Sequence, residues 1–385
     1  MGRNLQSCDG LLTMVRPGSI RPINVAIVAP TTGILGGQAV QAERLLDAWR
    51  DDPDVHAWLV PINPLPPGPL RRALGVKYVR TVATQLTYWP RLLRELRRAD
   101  VVHVFSASYF SFLLAPLPAV LIARLLGKPV VMNYRSGEAP DHLKRSAIAR
   151  TVLRHVGRNA VPSRFLHDVF AGFGIDSEII PNIVDVERFA FRRRVPLRPK
   201  LLSTRNFDDL YNVACTLRAF HLVQRRHPDA TLTLVGGGPG EAALKALVST
   251  LGLRQVTFAG RVPPADIWRC YADADIYLQT PNIDNMPTSI LEAFASGCAV
   301  VSTNAGGVPA ILTDNTHGLL VACNDHEAAA ARVLQLIDDP ALGDRLTAAA
   351  RTSCERYRWV NVRPQWVALY RSLARPSGLT APTPA

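Results

Sequence analysis

The chain has little to offer a metal cage or a disulfide framework. Its six cysteines, Cys8, Cys215, Cys270, Cys298, Cys323 and Cys354, are scattered, and the nearest two, Cys298 and Cys323, stand 25 positions apart. A reducing cytoplasm is the expected setting. Long apolar runs are also missing. The most apolar stretch, Val101 to Leu126, is broken by Pro116, Pro118 and Arg124, short of the ~20 uninterrupted apolar residues that a spanning helix needs. It reads as a buried strand followed by a helix. Residues 1–21 have no clean apolar core and no small-residue cleavage site, and carry Gln6 where a myristoylation signal has Ser or Thr. They read as a flexible extension. Charged residues are only 19% and hydrophobic ones 48%, with Gly and Pro together 55 of 385, which excludes disordered, collagen-like and coiled-coil chains. A clear G-x-G-x-x-G followed by an acidic residue about 20 positions on is absent, so a dinucleotide dehydrogenase loses ground.

What is present begins with length. At roughly 150 residues per domain, 385 residues suggest two to three domains. The first 200 residues hold 28 of the 44 Lys and Arg but only 15 of the 31 Asp and Glu, so the whole formal charge of +13 lies in that half. Such asymmetry points to two domains with different partners, the basic one facing an anionic surface or substrate. Nucleic acid is not the expected partner, because Arg91, Arg94, Arg97 and Arg98 are not interleaved with stacking aromatics.

The chain alternates short apolar runs with helical periods, twice over. Ile23 to Ala29, Val55 to Val60, Val101 to Phe105 and Val130 to Asn133 are expected strands of a first domain, residues 22–190. A proline-dense loop, Pro61 to Pro69, precedes a basic amphipathic stretch, Leu70 to Arg98, the expected acceptor-side or membrane-facing region. Residues 191–200 form a basic, proline-containing linker. Alternation restarts over 201–358, with strands at 201–204, 231–235, 255–259, 275–279 and 299–302. Helices are expected at 211–226, from Glu241, at 265–271 and 289–296, and from Asp325 and Ala341. The predicted architecture is α/β: two doubly wound domains facing across a cleft, with ligands beyond the carboxyl ends of the strands.

Two glycine turns follow strands, Gly33-Ile34-Leu35-Gly36-Gly37 and Gly236-Gly237-Gly238-Pro239-Gly240. Each suits either an approaching anion or simply a tight turn. The informative segment is PNIDNMPTSILEAFASGCAVVSTNAGG, Pro281 to Gly307. Pro287 starts a helix there, leaving the amides of Thr288 and Ser289 free for a phosphate. Asp284 lies on the loop before it and Glu292 inside it, eight positions on. An ionised carboxylate with two acceptor oxygens suits the vicinal hydroxyls of a ribose or hexose.

This segment resembles the glutamate-x7-glutamate signature of retaining glycosyltransferases of family 4, with Asp284 in the place of the first glutamate and Glu292 in that of the second. VPSRFL, IIPNIVD, TLTLVGGGP and VTFAGRV extend the resemblance along most of the chain. It implies a GT-B fold: two Rossmann-like domains, the first binding the acceptor and the second a nucleotide-diphosphate sugar, with residues 359–385 crossing back to the first domain and ending in a tail. It further implies that Glu292 holds the ribose and Asp284 the sugar, and that Asn285, Met286, Pro287, Thr288 and Ser289 line the sugar and distal phosphate. Gly260, Arg261 and Val262 would meet the base, and Arg205 would neutralise the diphosphate with Gly36 and Gly37. The companion lysine of that arginine is missing, Leu210 and Tyr211 standing in its neighbourhood. Where the family often has a histidine near the sugar, this chain has Arg135-Ser136-Gly137-Glu138. Glu138 and His142 are the catalytic candidates there, with His103 a further histidine.

The resemblance implies a retaining transfer; the residues show no clear carboxylate nucleophile and no metal-ligand cluster beside the phosphate cradle, so that transfer is expected to be same-face and free of metal or other cofactor. The expected partners are a nucleotide-sugar donor, a polysaccharide, glycolipid or lipid-linked acceptor, and an anionic membrane at the inner face. Two alternatives remain open: a sugar-nucleotide-binding partner protein without catalysis, and an epimerase or phosphorylase of the same architecture. The phosphorylase would need a pyridoxal lysine, and the second domain offers only Lys245 after Lys200.

Overall fold

The computed structural model describes residues 21–31, 37–64 and 77–374. Gly36, most of the 1–21 extension, the segment 65–76 and the tail beyond 374 lie outside the described residues. Six strands, β1 Ile23–Ala29, β2 Val55–Pro61, β3 Val101–Ser106, β4 Val130–Tyr134, β5 Arg158–Val161 and β6 Glu178–Ile179, make one parallel sheet in the order β2-β1-β3-β4-β5-β6. Six more, β7 Lys200–Ser203, β8 Thr231–Val235, β9 Val256–Gly260, β10 Ile276–Gln279, β11 Ala299–Thr303 and β12 Leu319–Val321, make a second, ordered β12-β11-β10-β7-β8-β9. Helices cover both faces of each sheet, which is why every residue of β3, β4, β10 and β11 is buried and why these strands read as continuous apolar runs.

Alternation along the strands feeds two cores per sheet. Ala26, Val28, Val102 and Val104 enter one core of the first domain, and Val25, Ile27, Val101 and Phe105 enter the other. The second of these cores is closed by the last described helix, Trp359–Leu373, through Val362, Trp366 and Tyr370. Tyr370 Oη meets His103 Nδ1 at 2.6 Å, and Arg363 reaches Asp52 and Asp54, each at 2.6 Å. The C-terminal helix is thereby tied to the first domain. In the second domain Leu201, Leu232 and Ile276 face one core, and Leu202, Tyr277 and Val300 the other. Val184, Val186 and Phe189, which follow β6, pack into this last core. The chain therefore joins the second domain's core before the basic connection begins. In that connection Arg192, Arg194 and Arg198 converge on buried Asp275 at 2.7, 3.3 and 2.8 Å.

Each strand order reverses once, between β1 and β3 in the first sheet and between β7 and β10 in the second. Ligands of doubly wound sheets bind outside the strand carboxyl ends at such switch points. The loop after β7 carries Arg205 and the loop after β10 carries Asp284 to Pro287, so the topology alone brings two of the expected site segments together.

Two details differ from the sequence reading. The helix expected over 265–271 spans Trp268–Asp273, because Pro263 to Ile267 form a turn in which the Pro263 carbonyl accepts from the amides of Asp266 and Ile267. Strand β12 has three residues and β6 two, too few for a periodic signal to register.

Candidate active site

Between the domains lies a cavity of about 390 Å³, lined from the first domain by Gly37, Arg44, Arg135, Glu138 and Asn182, and from the second by Arg205, Arg261, Val262, Asp284 to Ser289 and Glu292. The helix Thr288–Ser296 points its start into this space. Pro287 occupies the N-cap position with extended backbone and provides no side-chain cap, so it precedes the helix rather than forming its first turn. The amide of Ile290 returns to Pro287 O at 3.2 Å. The amides of Thr288 and Ser289, the two residues before it, belong to the cavity wall at the positive end of the helix dipole, a site suited to an anion.

The loop before this helix is held by backbone contacts that only glycine permits. A Cβ on Gly307 would stand 1.9 Å from Asn285 O, and one on Gly306 2.1 Å from Asp284 O. The first domain holds the same loop from the other side. Asn182 Nδ2 donates to Met286 O at 2.9 Å, Asn285 Nδ2 donates to Arg135 O at 3.4 Å, and the Ser163 hydroxyl donates to Asn285 Oδ1.

The acid pair is engaged by arginines. Glu292 is buried and meets Arg44, from the helix Gly37–Ala48 of the first domain, at 2.5 Å. Asp284 pairs with Arg205, whose Nη1 also donates to Ser289 Oγ at 3.2 Å. Burial, the largest single influence, works against the charge on Arg205, but Asp284, Tyr211, Tyr277 and Tyr271 together outweigh it and hold the guanidinium above its ordinary range. Its buried Nε has no hydrogen-bond partner, a donor left over for a ligand. Tyr211 lies against the Arg205 guanidinium, 4.1 Å from ring centroid to Cζ. Where a companion lysine is missing from the sequence, the turn Asp209–Tyr211 thus supplies an aromatic surface. Three further arginines, Arg44, Arg135 and Arg261, stand on the cavity wall.

The other expected residues divide. Arg261 and Val262 line the cavity; Gly260 ends β9 beside it, its carbonyl accepting from Gly236 at 2.8 Å with a φ of +67°. The second glycine turn packs closely, since a Cβ on Gly236 would stand 2.2 Å from Arg205 O. Gly37 starts its helix at the cavity wall. Glu138 lines the cavity ahead of the helix Ala139–Arg145, its carboxyl pushed up by burial and then by Asp141.

The two histidines are corrections to the sequence reading. His142 is buried in the first domain's interior, its Nδ1 2.7 Å from Tyr134 Oη and its ring among Tyr109, Phe112 and Tyr134, and it does not line the cavity. Its helix turns it inward, and burial lowers its pKa. His103 is buried among Tyr370, Asn133 and Trp366, and burial pulls it down to about 3. Neither is placed for proton transfer in the cleft.

Arg44, Ser163 and Asn182 were not singled out from the sequence. Ser163 and Asn182 fall inside VPSRFL and IIPNIVD, so a signal was present. Arg44 shows none, being one more arginine on a helix 248 positions from its partner.

Comparison with known proteins bears on the fold and the family. A solved structure of HepE from Anabaena in complex with UDP superposes with a TM-score of 0.72 at 16% identity, covering 91% of this chain and 100% of that one. The likeness shows the GT-B fold. The sulfoquinovosyl transferase SQD2 of Arabidopsis thaliana is 24% identical over 318 residues, 75% of this chain and 60% of the plant protein, so the chain spans less than two thirds of that relative's length. The GDP-mannose-dependent alpha-(1-6)-phosphatidylinositol monomannoside mannosyltransferase of Mycolicibacterium smegmatis is 27% identical over 313 residues, 74% of this chain and 81% of its own. The model for glycosyl transferases group 1 matches residues 187–353 and that for glycosyltransferase family 4 residues 35–188. With the two models together spanning residues 35 to 353, the chain belongs to the group 1, family 4 glycosyltransferases.

Proposed function

We propose that the protein moves a hexose from a nucleotide-diphosphate sugar to a glycan or lipid-linked acceptor, with retention at the anomeric carbon. The observation that carries this reading is the convergence of Glu292, Asp284, Arg205 and the uncapped start of the helix Thr288–Ser296 on one interdomain cavity. Glu292 is the ribose ligand, reached once Arg44 gives way. Asp284 and the amides from Met286 to Ser289 take the sugar and the distal phosphate, and the surface around Arg261 and Val262 takes the base. A lipid-linked acceptor is supported by the mycobacterial relative, whose name specifies a phosphatidylinositol monomannoside.

In the reaction the bond from the anomeric carbon to the diphosphate breaks, and the acceptor oxygen attacks on the face the phosphate leaves. The departing phosphate oxygen takes the acceptor's proton, so no enzyme base is required. Charge grows on the diphosphate, where Arg205 with its spare Nε and the Thr288 and Ser289 amides stand ready. Fixed donors of this kind are worth ~3 kcal/mol each in a transition state. Transfer measured with excess chelator tests the scheme: undiminished turnover is expected, and loss of activity restored by a divalent ion would refute the metal-free part.

We also propose peripheral contact of the first domain with an anionic membrane. The helix Lys77–Leu96 leaves Val82, Leu86 and Trp89 exposed at 59%, 66% and 46%, with Leu121 and Leu125 exposed on the helix Pro116–Leu125. Arg91, Arg94, Arg97 and Arg98 follow on the same helix and the turn after it. Among the described residues no helix is long and apolar enough to cross a membrane. Apolar side chains flanked by cations suit a surface bound by partial insertion and charge. The protein is expected to sediment with anionic vesicles, less so in high salt, and Leu86→Glu should weaken sedimentation without lowering the unfolding temperature. Equal sedimentation with neutral vesicles at all salt concentrations would contradict the charge component.

A further inference from the structure

The cleft holds more positive charge than its acids neutralise. Of the four guanidiniums on its wall, Arg44 is paired with Glu292 and Arg205 with Asp284. Arg135 forms no ion pair among the described residues. Its donors go to the amide oxygens of Asn133, at 3.3 Å, and Asn182, and its Cζ lies 5.2 Å from the centroid of the Phe105 ring. Glu138, three residues on, does not neutralise it. Burial pulls Arg135 down to about 9, the mark of a cation removed from water without a counter-charge, although it stays protonated at neutral pH. The residue is half-buried, and two asparagines and a ring fix the guanidinium in the cavity wall.

Its position along the cleft is set by backbone contacts. Arg135 O accepts from Asn285, and a Cβ on Gly137 would stand 3.1 Å from Asp284 C. The loop after β4 is therefore seated on the loop after β10. Arg261 and Val262, at the other expected end of the ligand, follow β9. In the second sheet β7 and β8 lie between β10 and β9, a separation of roughly 14 Å at ~4.8 Å per strand. Arg135 is thus at the sugar end and Arg261 at the base end, with Arg205 following β7 between them.

We propose that Arg135 binds an oxyanion carried by a substrate beyond the donor diphosphate: a carboxylate, sulfonate or phosphate on the transferred sugar or on the acceptor group that meets it. The planar fork of a guanidinium matches all three groups with two parallel hydrogen bonds. The inference rests on the donor reading above and adds a charge requirement to it. A neutral sugar and a neutral acceptor would leave Arg135 in the cavity wall with only amide oxygens for partners.

Titration calorimetry on the full chain separates the sources. In the donor arm, UDP-glucuronic acid is compared with UDP-glucose, and in the acceptor arm glycerol 3-phosphate is compared with glycerol in the presence of UDP; GDP sugars and GDP replace them if GDP binds more tightly. The unaltered protein should prefer the acidic member of one pair by about tenfold or more, and the arm that shows this names the source. Arg135→Gln should erase the preference while leaving the affinity for the free nucleoside diphosphate within about twofold, which also reports that the variant is folded. Arg135→Lys should restore part of it. No preference in the unaltered protein overturns the inference without any variant, and so does a preference that survives Arg135→Gln. If Arg135→Gln instead weakens the free nucleoside diphosphate about tenfold, Arg135 is a diphosphate ligand and the inference is equally overturned. Failure of every nucleotide to bind overturns the donor reading itself, a result distinct from these.

Discussion

Glu292 and Arg44 show how much of this site depends on single side chains meeting across a gap. Each is largely buried, and the 2.5 Å contact joins a helix of one domain to a helix of the other. A donor that takes Glu292 with its ribose must therefore release Arg44, which is then free to turn toward the diphosphate. At the same scale His142 has a different part. Its hydrogen bond to Tyr134 and its aromatic neighbours make it a member of the interior, so His142→Ala is expected to cost about 1–3 kcal/mol of stability. Turnover per folded molecule should stay within about twofold of the parent. A loss of turnover with stability unchanged would instead return His142 to the cleft. The sequence made His142 a candidate because it follows the loop after β4 so closely; the direction it faces depends on where its helix begins, which no spacing shows. Asp284 and Glu292 were legible because proline, threonine and serine between them mark a helix start in the chain itself. Arg44 was not, since nothing local distinguishes it from other helical arginines.

Elements were more legible than side chains. Fully buried parallel strands are written as apolar runs, and β1, β3, β4, β8 and β10 could be placed from composition. Strands of two or three residues, β6 and β12, carry no such pattern. The basic connection 191–200 reads as a linker by its prolines and charge, yet the structure gives it a specific hold. Arg194, its side chain fully buried, shares Asp275 with Arg192 and Arg198. Burial would raise the Asp275 carboxyl, but the hydrogen bonds from Arg198 and Arg192 outweigh it and hold the carboxyl below its ordinary value. A carboxyl lowered in the folded state stabilises above its unfolded pKa, and that stability is lost as pH falls through its folded pKa. Asp275→Asn is accordingly expected to cost about 3–5 kcal/mol at pH 7, because it strands a buried guanidinium. The difference from the parent should persist down to about pH 5 and close below about pH 4. Denaturant melts across this range check it; a difference independent of pH would mean that packing, not charge, is lost.

At the scale of the molecule, two sheets with reversed strand orders are set so that their switch points confront one another, and the C-terminal helix ties the chain's end back to the first domain. Neither domain contains the site alone. The second brings the acid pair, Arg205 and the helix start, while the first brings Arg44, Arg135 and the asparagine that holds Met286. The central claim is that an activated sugar is gripped here through its nucleotide, with Glu292 on the ribose. Calorimetric titration of UDP and GDP into the parent and into Glu292→Gln tests it most directly. The account predicts that at least one nucleotide binds the parent, and that the variant, still folded at the assay temperature, binds it about 10- to 100-fold more weakly. Equal affinity in the two proteins, or binding of neither nucleotide by the parent, would contradict it.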